Sequence, residues 1–227
     1  MLGFSRNKGN VKFKQIEGLA VLDFFNSRPI PGNAYRLLFI GDSLTLHGVA
    51  PNIWDSLSGM AASRRDKDFI HLFTHFVQQT TSQPVEIFYN NGGDGRIGSM
   101  LRYAQKHPEL QPDMVVIQGG ENDAFDSDFR SIYVELLNTY SCPRIVLGDW
   151  WSDSKSKFAN LCANGLGIPF VNINNLYIEG SHSGDGGPYN NVDVSRHPND
   201  KGMAAIAGLL FATYESEVLL PASRSES

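Results

Sequence analysis

Apolar residues along this chain gather in short runs. Runs of four or five residues fall at 37–40 (Leu-Leu-Phe-Ile), 85–89, 114–118, 145–148 and 170–173. Between them, apolar and polar residues mix at helical spacing. Phe69, Leu72, Phe73, Phe76 and Val77 stand three or four positions apart and would form a stripe along one side of a helix. The pattern predicts helices over 67–80, 97–106, 128–139, 154–166 and 199–215. Short apolar strands that alternate with helices predict a parallel sheet covered on both faces. The expected fold class is therefore α/β, a three-layer α/β/α sandwich with a central parallel sheet of about five strands. In such sheets, ligands meet the carboxyl ends of the strands.

Two long segments, 46–65 and 177–196, interrupt the alternation. Long loops in a compact domain are functional or lack structure of their own. The first starts three residues beyond Ser43 and the second ends at His197, so both are expected to wall a site. Residues 1–34 read as an N-terminal extension with one strand within 11–25 and a linker at 28–32 (Arg-Pro-Ile-Pro-Gly). Residues 35–217 read as the domain, and 218–227 as a disordered tail.

Composition narrows the classes. The 227 residues are 41% hydrophobic and 19% charged, with a net charge of −5 and no basic block. That speaks against nucleic acid as a partner. No apolar run approaches the ~18 residues of a membrane span, so no membrane association is expected. The apolar stretch 18–25 is short, contains Asp23 and is followed by no small-residue cleavage site. With no signal peptide read, the expected location is cytoplasmic. Cys142 and Cys162 are the only cysteines and read as free thiols.

The chemistry begins at Gly41-Asp42-Ser43-Leu44-Thr45, directly after the first apolar run. A serine hydroxyl becomes a nucleophile only with a base to take its proton and donors to hold the oxyanion that forms. Three later segments could supply them: Asn90-Asn91-Gly92-Gly93-Asp94-Gly95, Gly120-Glu121-Asn122-Asp123, and His197-Pro198 at the start of the last helix. Glycine lets a backbone amide approach a ligand closely. The asparagine amide donates without bringing a counter-charge. Pro198 suits the first turn of a helix. No Gly-x-Ser-x-Gly elbow is present, which disfavours the α/β-hydrolase arrangement.

These four blocks, in this order across residues 36–214, resemble the SGNH hydrolases, the GDSL-type esterase family. The resemblance implies a flavodoxin-like fold with Ser43 as nucleophile and His197 as general base, then general acid. It further implies that the Ser43 and Gly95 N–H groups and the Asn122 side chain form the oxyanion hole. It implies hydrolysis of a carboxylic ester through an acyl-enzyme, with no metal and no organic cofactor. The substrate would be a small-molecule or carbohydrate ester, with a short O-acetyl group on a sugar favoured. An O-acyltransferase using the same acyl-enzyme stays open, as does a non-catalytic carbohydrate-binding domain. One position departs from the family pattern. The acid that orients the histidine usually stands three residues before it, and that position here is Val194. Asp193 is the candidate in its place, with Asp200, Asp149 or a backbone carbonyl as alternatives.

Each residue also has a plainer reading: Ser43 in a turn, Gly95 in a tight turn, Asn122 as a cap, His197 as a helix-start residue. His71 and His75 have an i, i+4 spacing that could bind zinc, but no third ligand is evident. His47 and His182 lie in the two long loops. Trp54, Trp150 and Trp151 could stack on a sugar or simply pack. Gly184-Asp185-Gly186-Gly187 lacks the strand and helix of a phosphate cradle.

Overall fold

A hairpin of β1 (Lys14–Ile16) and β2 (Leu19–Leu22) edges a sheet whose other five strands are all parallel. These are β3 (Tyr35–Ile40), β4 (Val85–Asn90), β5 (Met114–Ile117), β6 (Arg144–Leu147) and β7 (Phe170–Val171). The computed structural model describes residues 34–177, 181–184 and 189–219 and the backbone of 14–16 and 19–22. The linker at 28–32, residues 185–187 of the Gly-rich segment, and residues 220–227 of the expected tail lie outside the described residues, while Val218 and Leu219 belong to a π-helical turn, Glu215–Leu219, packed on the core. The sheet order is β1-β2-β4-β3-β5-β6-β7, with β2 antiparallel to β4 and Val21 opposite Phe88. The segment expected to hold one strand thus supplies two. The parallel part has the flavodoxin-like order, second-first-third-fourth-fifth, which reverses direction at β3.

The strands read as unbroken apolar runs because both faces are covered. Leu37 and Phe39 point into one core with Phe69, Phe73 and Val77 of α1 (Phe69–Thr81). Leu38 and Ile40 point into the other, against α2 (Ile97–Lys106), α3 (Ser127–Asn138) and α4 (Asp153–Gly165). The last long helix, α6 (Asp200–Tyr214), packs beside α1 through Met203, Ile206, Ala207 and Leu210. Phe39 anchors the first core, its ring 6.2–6.3 Å from those of Phe69, Phe73 and Tyr89. Truncating a buried ring of this kind costs about 3–5 kcal/mol.

The capping residues explain where the helices begin. Asp68, Asp126, Ser152 and Asn199 each accept from a backbone N–H of the first turn behind them. Two elements differ from expectation. β7 stops after two residues because Asn172 Oδ1 turns back to the Asn174 N–H at 3.1 Å, opening a 3₁₀ turn. The loop expected over 177–196 contains a short helix, α5 (Val192–Ser195), capped by Asn191 Oδ1 on the N–H groups of Asp193 and Val194. Among the described residues no helix is long and apolar enough to cross a membrane.

Candidate active site

The blocks of the sequence meet at the carboxyl end of the parallel strands, beside the point where the strand order reverses. The β3 strand ends in a turn in which Thr45 and Leu46 N–H donate to the Asp42 carbonyl at 3.0 Å. Gly41 is required there, because a Cβ would lie 2.0 Å from Thr45 Oγ1 and 2.5 Å from Gln118 Oε1. The turn presents Ser43. The loop that follows returns beneath it, and Met60 N–H donates to the Ser43 carbonyl at 2.9 Å.

His197 stands opposite. Ser43 Oγ lies 2.7 Å from His197 Nε2. The other ring nitrogen, Nδ1, lies 2.6 Å from the main-chain carbonyl oxygen of Asp193. A carbonyl only accepts, so Nδ1 carries the proton and Nε2 offers its lone pair to the serine hydroxyl. The edge of Trp151 meets the ring at 4.9 Å and 81°. Burial holds the imidazole down to about 4, against the upward pull of the Asp193 carbonyl and the Asp42 charge. The ring is therefore neutral at neutral pH.

The group of Asp193 that reaches His197 is its carbonyl rather than its carboxylate, and α5 is the reason. Helical carbonyls point towards the C-terminus, so the carbonyl of residue 193 faces residue 197. Carbonyls of a last turn have no intrahelical partner, and here the imidazole supplies one. Side chains tilt the other way. Asp193 is exposed, while Val194 is fully buried in an apolar cluster with Trp54, Met60 and Ala61. The alternative acids are engaged elsewhere. Asp200 accepts from the Ser63 N–H and hydroxyl at 2.7 and 2.6 Å. Asp149 accepts from the N–H groups of Trp151 and Ser152 at 2.8 and 2.6 Å.

Gly95 and Asn122 lie side by side on neighbouring turns. Asn122 Nδ2 donates to the Gly95 carbonyl at 3.2 Å, leaving its second hydrogen available. Gly95 has φ +70°, and a Cβ on it would sit 2.7 Å from Asn122 Nδ2. Its own N–H donates to the Asn91 carbonyl at 2.9 Å. The Ser43 N–H makes no hydrogen bond among the described residues. Ser43, Gly95, Asn122 and His197 all line one pocket of about 980 Å³. Its walls include Leu46, Val49, Ile53 and Met60 from the first long loop, and Trp151 and Arg196 from the opposite side. A hydrogen-bonded Ser–His pair at the floor of such a pocket is compatible with a hydrolase-type active site.

No protein-family model matches the chain, and no curated protein matches it in sequence. Among solved structures, it is similar to the type II dehydroquinase of Butyrivibrio crossotus at 12% identity and a TM-score of 0.36, over 62% of this chain and 89% of that one. So loose an overlay carries no functional argument.

Two residues that sequence reasoning did not single out hold the turns in place. Lys155, on the first turn of α4, donates to the carbonyls of Gly120, Glu121 and Asp123 at 2.6, 3.2 and 2.8 Å. It thereby fixes the turn that carries Asn122. Gln118, at the end of β5, accepts from Thr45 Oγ1 at 2.7 Å and donates to Glu121 at 2.7 Å, so it ties that turn to the Ser43 turn. A lone lysine in an amphipathic helix gives no sequence signal for such a role.

The remaining candidates lie elsewhere or pack. His71 is buried against Asp68 and His75 is exposed. Among the described residues no group of His, Cys, Asp and Glu is arranged to hold a metal ion. Trp150 is fully buried, donating Nε1 to the Arg196 carbonyl at 3.1 Å, and Trp54 packs against Tyr189 with ring centroids 5.8 Å apart and the planes tilted by 51°. His47 lines the pocket. Through its carbonyl, His182 holds the Asn199 N–H at 2.9 Å. Cys142 and Cys162 are free and partly buried.

Proposed function

We propose that this protein is a serine esterase of the SGNH type that hydrolyses a carboxylic ester through an acyl-enzyme on Ser43. The observation that carries this reading is the 2.7 Å contact between Ser43 Oγ and a neutral His197 Nε2. The Gly95 and Asn122 turns on the same pocket support it. Ser43 Oγ adds to the ester carbonyl carbon as its proton passes to Nε2. The oxyanion is held by the Ser43 N–H and the second Asn122 Nδ2 hydrogen, joined by the Gly95 N–H if that amide shares its bond to Asn91. The imidazolium then protonates the leaving alkoxide, freeing the alcohol. Water, deprotonated by His197, attacks the acyl carbon, and collapse returns Ser43 with a carboxylic acid as product. The route requires no metal or organic cofactor.

A short O-acetyl group on a carbohydrate is the substrate class we favour, because the sequence carries no long apolar lid. A non-catalytic carbohydrate-binding domain would be favoured by Val194 standing where an orienting acid is expected. With the Asp193 carbonyl already on Nδ1, Val194 does not weigh against catalysis. The test is a series of p-nitrophenyl esters from acetate to laurate on wild type and Ser43→Ala, with fluorophosphonate labelling mapped by mass spectrometry. Hydrolysis fastest for acetate, labelling on Ser43, and loss of several orders of magnitude in Ser43→Ala are expected. Unchanged activity in Ser43→Ala overturns the reading.

A further inference from the structure

The turns after three parallel strands bring three carboxyls close to one another: Asp42 after β3 and Asp149 after β6, both buried, and Glu121 after β5, half-buried. Gln118 Nε2 bridges two of them, donating to Asp42 Oδ1 at 3.1 Å and to Glu121 Oε1 at 2.7 Å. The Trp150 N–H also reaches Glu121 Oε1, at 3.3 Å. Both hydrogens of the Gln118 amide are then used. Asp42 Oδ2, Glu121 Oε2 and Asp149 Oδ2 remain shielded from solvent with no donor among the described residues. Buried carboxylate oxygens without donors are costly, and two carboxyls held on one amide nitrogen, as Asp42 and Glu121 are on Gln118 Nε2, relieve that cost when they share one proton.

We propose that Glu121 is a positioning residue that works in its protonated form: its O–H donates to Asp42 and locks the Ser43 turn to the Asn122 turn. The activity part of this proposal rests on the esterase reading above. The surroundings decide which acid keeps the proton. Asp149 has two backbone donors and Lys155 Nζ at 4.0 Å. Glu121 faces the Asp42 charge from the β3 turn, Asp149 from the β6 turn, Lys155 from α4 and the Tyr133 phenol from α3. Lys155 spends its hydrogens on three backbone carbonyls and gives the Glu121 carboxyl none. Burial first, then the Asp42 and Asp149 charges, hold the Glu121 carboxyl well above the usual carboxylate range. When Glu121 ionises, the bond to Asp42 becomes a repulsion and the two turns are no longer fastened.

The experiment compares wild type, Glu121→Gln and Glu121→Ala between about pH 5 and about pH 10. It reads kcat and KM for p-nitrophenyl acetate and the unfolding midpoint at each pH. Glutamine copies the protonated acid, with an N–H donor towards Asp42 and an acceptor for Gln118. In wild type, kcat should fall on the alkaline side while KM holds. Glu121→Gln should keep its alkaline kcat, and Glu121→Ala should be low throughout. Folding takes up a proton at Glu121, so wild-type stability should fall as pH rises from about 4.3 through the raised folded value. Glu121→Gln should therefore gain on wild type in midpoint with rising pH. An alkaline kcat fall and a stability slope both unchanged in Glu121→Gln overturn the proposal. If no ester is hydrolysed by any of the proteins, the esterase reading fails, and the stability slope still decides the role of Glu121. If Glu121→Gln does not fold, the infrared band of a protonated carboxyl in wild type at neutral pH decides instead: its presence upholds the proposal and its absence overturns it.

Discussion

Removing the Asp193 carboxylate tests how His197 is held. In a serine-protease triad, loss of the orienting acid lowers kcat by about 10⁴-fold, or roughly 5.5 kcal/mol. Here the atom on Nδ1 is the Asp193 carbonyl at 2.6 Å, and the side chain is exposed. Asp193→Asn leaves that carbonyl in place. What it removes is one solvent-screened charge near the ring, worth about 0.2–1 kcal/mol. The expected fall in kcat/KM is at most about fivefold. Asn191→Ala makes the contrast. Asn191 does not touch the ring, but its Oδ1 caps α5 through the Asp193 and Val194 N–H groups at 2.8 and 3.3 Å. Losing such a cap costs about 1 kcal/mol of helix stability and should loosen the carbonyl. The predicted ranking is that Asn191→Ala slows the enzyme more than Asp193→Asn. The assay is kcat/KM on p-nitrophenyl acetate for both variants, with Ser43→Ala as the baseline. A loss of about 10³-fold or more in Asp193→Asn refutes the reasoning, because only a carboxylate acting directly on His197 could produce it.

Four further residues, Val194, His197, Asn122 and Lys155, can be tested in the same way. Val194→Asp puts a carboxylate three residues before His197 but buries it among Trp54, Met60 and Ala61; it should lower stability by about 3 kcal/mol or more in denaturant titration and bring no gain in activity. With His197 held down to about 4, the acid limb of kcat/KM should have its midpoint near that value rather than near the ~6.5 of free imidazole. Between these two values the unfolded chain binds a proton that the folded chain does not, so stability at this group rises as pH rises from about 4 to about 6.5 and is lost as pH falls through that window, by on the order of 3 kcal/mol in all. Asn122→Ala should lower kcat by about 10²–10³ with little change in KM, the outcome required of the proposed oxyanion donor; a change in KM alone would make it a substrate contact. Lys155→Met leaves three carbonyls of the Asn122 turn without their donor, and chemical unfolding should show a loss of about 2–3 kcal/mol together with a lower kcat.

The sequence by itself determined the layers and the four blocks. Leu37–Ile40 and Met114–Ile117 are apolar at every position because both faces of a parallel sheet are buried, and that follows from composition alone. Ser43, Gly95, Asn122 and His197 stand out in the sequence because each belongs to a short polar or Gly-rich block in the turns that follow a strand or precede a helix, where local rules act. The strand order belongs to the tertiary structure, since a run such as 85–89 contains nothing to say whether it pairs to the left or right of 37–40. So does the hairpin edge, where β2 is fixed only by its pairing with β4. The same holds for the atom that orients His197. Residue spacing points to position 194, where Val194 stands, and leaves Asp193 as a substitute among alternatives that include a backbone carbonyl; only the helical turn of α5 determines that the Asp193 carbonyl, and not its carboxylate, points at the ring. Glu121 and Lys155 show the limit most clearly. Their roles arise from convergence of the turns after β3, β5 and β6 with the first turn of α4, and Asp42 and Glu121, 79 positions apart in the chain, become neighbours only when the sheet assembles.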